Sequence, residues 1–76
     1  MPKTAQTSVS ADRITVGLTK RSAEELEYLH GETGLSKTDL VNRSIGLYKF
    51  ITDHLEKGEQ LVIRDRDGKD MLVHMQ

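Results

Sequence analysis

The sequence predicts a mostly helical α+β chain: a lone strand, two helices in tandem, and a C-terminal β-hairpin. Three patterns carry this expectation. Residues 13–19 alternate polar and apolar side chains. Two segments, about 20–33 and 37–57, follow hydroxyl residues suited to capping, carry apolar side chains at helical spacing, and end at glycines. Leu61-Val62-Ile63-Arg64 and Met71-Leu72-Val73-His74 then flank Arg66-Asp67-Gly68-Lys69, a strong hairpin turn signal.

Taken in order, residues 1–12 are small and polar, with few apolar anchors, and read as a flexible arm. In Arg13-Ile14-Thr15-Val16-Gly17-Leu18-Thr19, Ile14, Val16 and Leu18 fall on one face and Arg13, Thr15, Gly17 and Thr19 on the other. Ile, Val and Thr suit a half-buried pleated surface, so this is a strand with one wet face. The first helix starts at a Thr19 or Ser22 cap, Ser22 having capping-box spacing to Glu25. It presents Ala23, Leu26 and Leu29 as an apolar edge and runs to about Glu32 or Thr33, with Gly34 as a left-handed stop. Leu35 reads as a buried plug between the helices. Ser36-Lys37-Thr38-Asp39 then opens the second helix, which reaches about Lys57 before Gly58. Its stripe is Leu40, Val41, Ile45, Tyr48, Ile51 and Leu55. Leu47 and Phe50 widen it, so this helix meets neighbours on more than one side. In the hairpin, Asp65 opposite Lys69 would set Arg64 against Asp70 and Ile63 against Met71.

With 76 residues the chain is one small domain or less. A domain this small buries only ~60% of the surface its unfolded chain exposes, and usually needs a staple. Cysteine is absent, which removes disulfides and thiolate metal sites. The histidines, His30, His54 and His74, share no ligand spacing, so no metal or cofactor is expected. Oligomerisation remains, and a homodimer is the expectation. An unpaired amphipathic strand points the same way, because two copies can pair their strands while four helices cover the inner face of that ribbon. Such a two-stranded ribbon fits the major groove of DNA.

The balance of 11 basic and 12 acidic side chains does not announce a nucleic-acid partner, but its distribution is uneven. Residues 1–22 carry a net +3 and residues 23–39 a net −4. No phosphate loop, metalloprotease motif or nucleophile elbow is present, and the glutamates of the first helix read as a solvated face, so an enzyme is not expected. No apolar run approaches a membrane span, and residues 1–11 lack the apolar core of a signal peptide. The expected location is the cytoplasm.

Arg13–Thr19, followed by Glu32-Thr33-Gly34-Leu35-Ser36-Lys37-Thr38-Asp39-Leu40-Val41, resembles the ribbon–helix–helix DNA-binding proteins of the Arc, MetJ and CopG type. The resemblance covers about Arg13 to Leu55. It implies an intertwined homodimer over 13–57 whose antiparallel ribbon enters the major groove of double-stranded DNA, as in transcriptional repressors of bacteria, plasmids and phages, hence a place on the nucleoid. Carried over by position, Arg13, Thr15 and Gly17 would face the bases. Ser36, Lys37 and Thr38 would hold a phosphate at a helix N-terminus. Lys20 and Arg21 could add backbone contacts. Ile14, Val16, Leu18, Leu26, Leu29, Leu40, Val41, Ile45 and Tyr48 would form the dimer core. Arginine suits guanine O6 and N7, and threonine suits a base edge or the thymine methyl. Gly17 departs from the family, which usually carries a polar side chain there.

The near-neutral charge implies modest affinity per dimer, with cooperative binding of several dimers as one remedy. Residues 58–76, the hairpin extension, lie outside the resemblance and could extend the core, join another protomer, or meet a protein partner. The runner-up function is therefore a protein-interaction module, an antitoxin-like partner built on the same dimer. A further alternative is a monomer in which 13–19 pairs with the hairpin as a three-stranded sheet.

Overall fold

The structure, a computed structural model, describes residues 12–75, so the arm assigned to 1–12 lies outside the described residues except for Asp12. The elements are α1 (Lys20–Thr33), α2 (Lys37–Glu56), β1 (Leu61–Arg64) and β2 (Asp70–Val73). The chain is thus a small α+β fold of two helices and an antiparallel hairpin.

Thr19, not Ser22, caps α1. Its backbone is extended, and its Oγ1 accepts the Ser22 N–H at 3.0 Å. The helix ends where Gly34 takes φ 73°, a conformation that costs a side-chain-bearing residue but not glycine. The turn is then tied by local bonds: Gly34 N–H donates to the His30 carbonyl at 3.1 Å, and Leu35 N–H donates to Thr33 Oγ1 at 3.1 Å. His30 Nδ1 donates to the Leu35 carbonyl at 2.7 Å. Ser36 restarts the helical path as the cap of α2, its Oγ accepting the Asp39 N–H at 3.0 Å. At the far end Lys57 is the cap and Gly58 turns the chain at φ 85°.

The hairpin has the register its turn demands. Asp65 N–H donates to the Lys69 carbonyl at 2.8 Å, and Asp65 Oδ1 accepts the N–H groups of Asp67 and Lys69, each at 2.9 Å. Leu61 pairs with Val73, Val62 with Leu72, Ile63 with Met71 and Arg64 with Asp70. Arg64 Nε and Nη2 donate to the two Asp70 carboxylate oxygens at 2.7 and 3.1 Å, so the Asp70 carboxyl is held below its ordinary range.

Two expectations are corrected. Residues 13–19 carry no ladder: the sheet among the described residues is β1–β2 alone. A strand is made by ladder hydrogen bonds to a neighbour, and among the described residues this segment has none. The three-stranded sheet with the hairpin is therefore not formed. Leu35 is half-buried, not a sealed plug. Two helices and one hairpin supply too few neighbours to enclose it, and Leu40, 6% exposed, is the one buried side chain among the described residues.

At about 100° per residue, α2 turns Val41, Ile45 and Tyr48 to one flank and Leu47, Phe50 and His54 to the other, with Leu40, Ile51 and Leu55 between them. Against the second flank lies β1, forming a groove of about 290 Å³ lined by Phe50, Ile51, His54, Leu55, Leu61 and Val62. No helix among the described residues is long and apolar enough to cross a membrane.

Candidate nucleic-acid interface

The segment assigned to the bases, 13–19, runs fully exposed into the N-terminus of α1. Arg13 N–H donates to Asp12 Oδ1 at 2.8 Å, while no hydrogen bond or ion pair engages the Arg13 guanidinium among the described residues. Thr15 and Gly17 are exposed beside it. A Cβ built at Gly17 meets nothing within 4 Å, and its φ is not left-handed. Neither space nor backbone within the chain therefore requires glycine there.

The apolar face of the same segment is equally uncovered, with Ile14 72% and Val16 58% exposed. Leu18 continues it into a groove of about 450 Å³ between the helices, lined also by Leu26, Leu29, Val41, Ile45 and Tyr48. Six of the nine side chains assigned to a dimer core thus share one open apolar groove. Ile14 and Val16 lie on the approach to it in sequence, and Leu40 is already buried inside the protomer.

The phosphate set clusters at the start of α2. Ser36 Oγ is occupied by the Asp39 N–H, which leaves the Lys37 and Thr38 amides at the helix N-terminus without partners among the described residues. The Thr38 carbonyl accepts from Asn42 Nδ2 at 2.8 Å. The Lys37 ammonium, however, lies 2.6 Å from Glu27 Oε2 on α1. The hydrogen bond and charge of Lys37 hold the Glu27 carboxyl below its ordinary range, and both side chains remain about half exposed. Arg21 is likewise held by Glu25, Nε to Oε2 at 3.2 Å one turn along α1. Lys20 has no ion pair among the described residues. Two of the three cations assigned to the DNA backbone therefore already face a carboxylate of their own chain.

Glu27 and Glu25 were not singled out as site residues in the sequence. The Arg21–Glu25 spacing signals its pair directly, whereas the Lys37–Glu27 pair depends on how α1 and α2 cross. His54 bonds Glu59 through Nδ1 and stacks tilted on Phe50, with ring centroids 4.5 Å apart. The described residues bring together no group of three or more metal-ligating side chains. No family model, curated protein or solved structure matches the chain.

Proposed function

We propose that the chain is a sequence-specific double-stranded DNA-binding protein, a ribbon–helix–helix homodimer acting as a transcriptional repressor on the nucleoid of a bacterium, plasmid host or phage-infected cell. Two copies pair their 13–19 segments antiparallel, burying Ile14, Val16 and Leu18 over the joined grooves and presenting Arg13, Thr15 and Gly17 twice to the major groove. The observation that carries this reading is continuity. One segment without a ladder among the described residues exposes the side chains of Arg13 and Thr15, and its apolar face leads directly into an open apolar groove between two capped helices. A second copy satisfies both the missing ladder and the missing core.

The N-terminus of α2 would take a backbone phosphate on the free amides of Lys37 and Thr38, with the Lys37 ammonium leaving Glu27 to reach it. Lys20 supplies a second positive contact at the start of α1. Gly17, with open space around it, lets the ribbon sit close to the base edges.

A second reading, a protein-masking module on the same dimer, is favoured by the exposed Val62, Ile63, Met71 and Leu72 of the hairpin. Selection of bound duplexes from a random pool separates the two. The DNA-binding reading predicts enrichment of a two-fold symmetric site. A pool that stays random while the protein sediments as a folded dimer rejects it in favour of the second.

A further inference from the structure

We infer that the outer edge of β2 pairs with the same edge of a second copy, joining two hairpins into one four-stranded antiparallel sheet. In an antiparallel ladder, residue pairs alternate between those that exchange hydrogen bonds and those whose N–H and C=O point outward. The bond from Asp65 N–H to the Lys69 carbonyl makes that pair an exchanging one. With the observed register, Ile63–Met71 and Leu61–Val73 exchange as well, and Asp70 and Leu72 turn their main-chain groups to the outside of β2. His74 continues the same alternation. Among the described residues nothing bonds these outward groups, and the sheet ends at β2.

The choice of occupant comes from charge and register. A two-fold axis through Leu72 sets Leu72 opposite its copy, Met71 opposite Val73, and Asp70 opposite His74. The carboxylate of Asp70, already bonded by Arg64, thereby meets an imidazole of the second copy. The same operation on β1 gives nothing comparable: an axis at Val62 sets Arg64 against Gln60, and an axis at Arg64 sets two guanidinium groups face to face. Joining through β2 also assembles Leu61, Ile63, Met71 and Val73 of both copies on one face of the sheet. A two-stranded hairpin owes its stability in water to what it packs against, here the flank of α2, and four strands with an apolar face add to that support. This edge is separate from the groove between α1 and α2. That it links ribbon dimers into tetramers rests on the proposed function, whereas the edge contact itself does not.

The test is sedimentation of the full chain over a concentration series, beside Leu72→Pro and Leu72→Lys. Leu72→Pro removes only an outward N–H, and Leu72→Lys sets two ammonium groups at the axis. Both should weaken one association step by about tenfold or more, tetramer to dimer, with the helical circular dichroism unchanged. In this cysteine-free chain Leu72→Cys should also give a covalent dimer on mild oxidation, because facing Cα atoms ~5.5 Å apart lie within disulfide reach. Arg66→Cys, at the turn, should not. A parent that is dimeric together with both variants, and a Leu72→Cys chain that crosslinks no better than Arg66→Cys, overturns the inference and leaves the ribbon dimer standing. A parent dimer that becomes monomeric in both variants supports the edge contact and rejects the ribbon dimer instead.

Discussion

Truncating Ile45 to alanine tests whether a second copy covers the groove between α1 and α2. Ile45 lines that groove and is 58% exposed in the single chain. The truncation removes about three methyl or methylene groups, worth ~2.4 kcal/mol on complete burial at ~0.8 kcal/mol each. Divided by the 58% exposure, ~1.4 kcal/mol belongs to whatever covers the groove and ~1.0 kcal/mol to the protomer itself. A two-fold interface contains the residue twice, so the dimer loses ~2.8 kcal/mol, about a hundredfold in Kd. Leu40→Ala is the contrast. Leu40 is already 6% exposed, so its cost of ~2–5 kcal/mol falls on folding of the protomer and not selectively on association. Sedimentation equilibrium in the Leu72→Pro background reads the groove contact separately from the hairpin edge. Ile45→Ala dimerising with the parental Kd would refute the reasoning, since the groove would then be covered by something other than a second copy.

On DNA, Arg13→Ala should cost ~1–3 kcal/mol per contact and relax preference at one base pair of each half-site. Lys37→Ala should weaken a selected and a scrambled site alike and flatten the salt dependence; titrations at two salt concentrations distinguish them. Glu27→Gln should act in reverse, releasing Lys37 from its carboxylate, so that affinity for both sites rises and the salt slope steepens. The same pair sets a pH dependence. Glu27 is held below its ordinary value of 4.5, so the pair's stabilisation is present above that value and is lost as pH falls through the lowered one; helicity of Glu27→Gln should decline less on acidification. Gly34→Ala should lower the thermal midpoint, at ~1 kcal/mol, because φ is 73° there. Gly17→Ala should leave that midpoint unchanged while reducing DNA affinity, since a Cβ there meets nothing within the chain.

What could be read from the sequence depended on how local its cause was. Gly34, Ser36 and the Arg64–Asp70 pairing are set within a few residues by φ, by a cap and by the length of an Asp-Gly turn, and each stands where the pattern puts it. The groove residues Leu26, Leu29, Val41, Ile45 and Tyr48 were legible as helical stripes. The Lys37–Glu27 bridge was not, because it depends on a helix crossing that no single-helix spacing encodes. The same limit explains Leu35. Its place between two helices was evident, but the depth of its burial depends on how many neighbours the tertiary fold brings to it, which no local pattern encodes. The 13–19 segment marks the boundary most clearly: alternation records a preference for pairing without naming the strand that answers it.

Among the described residues Leu40 stands alone beneath cover, so in the proposed dimer dilution would take the role that heat has for larger domains. If a second copy covers the groove as proposed, a chain that keeps so little of its apolar surface from water would draw its resistance to unfolding from that encounter. For a homodimer well above its Kd, each tenfold rise in total concentration would add ~1.4 kcal/mol per dimer, ~0.7 kcal/mol per chain, to the folded state. On that proposal, newly made copies would be the easiest to proteolyse, and a population above its association threshold would protect itself. Abundance and lifetime would then rise and fall together.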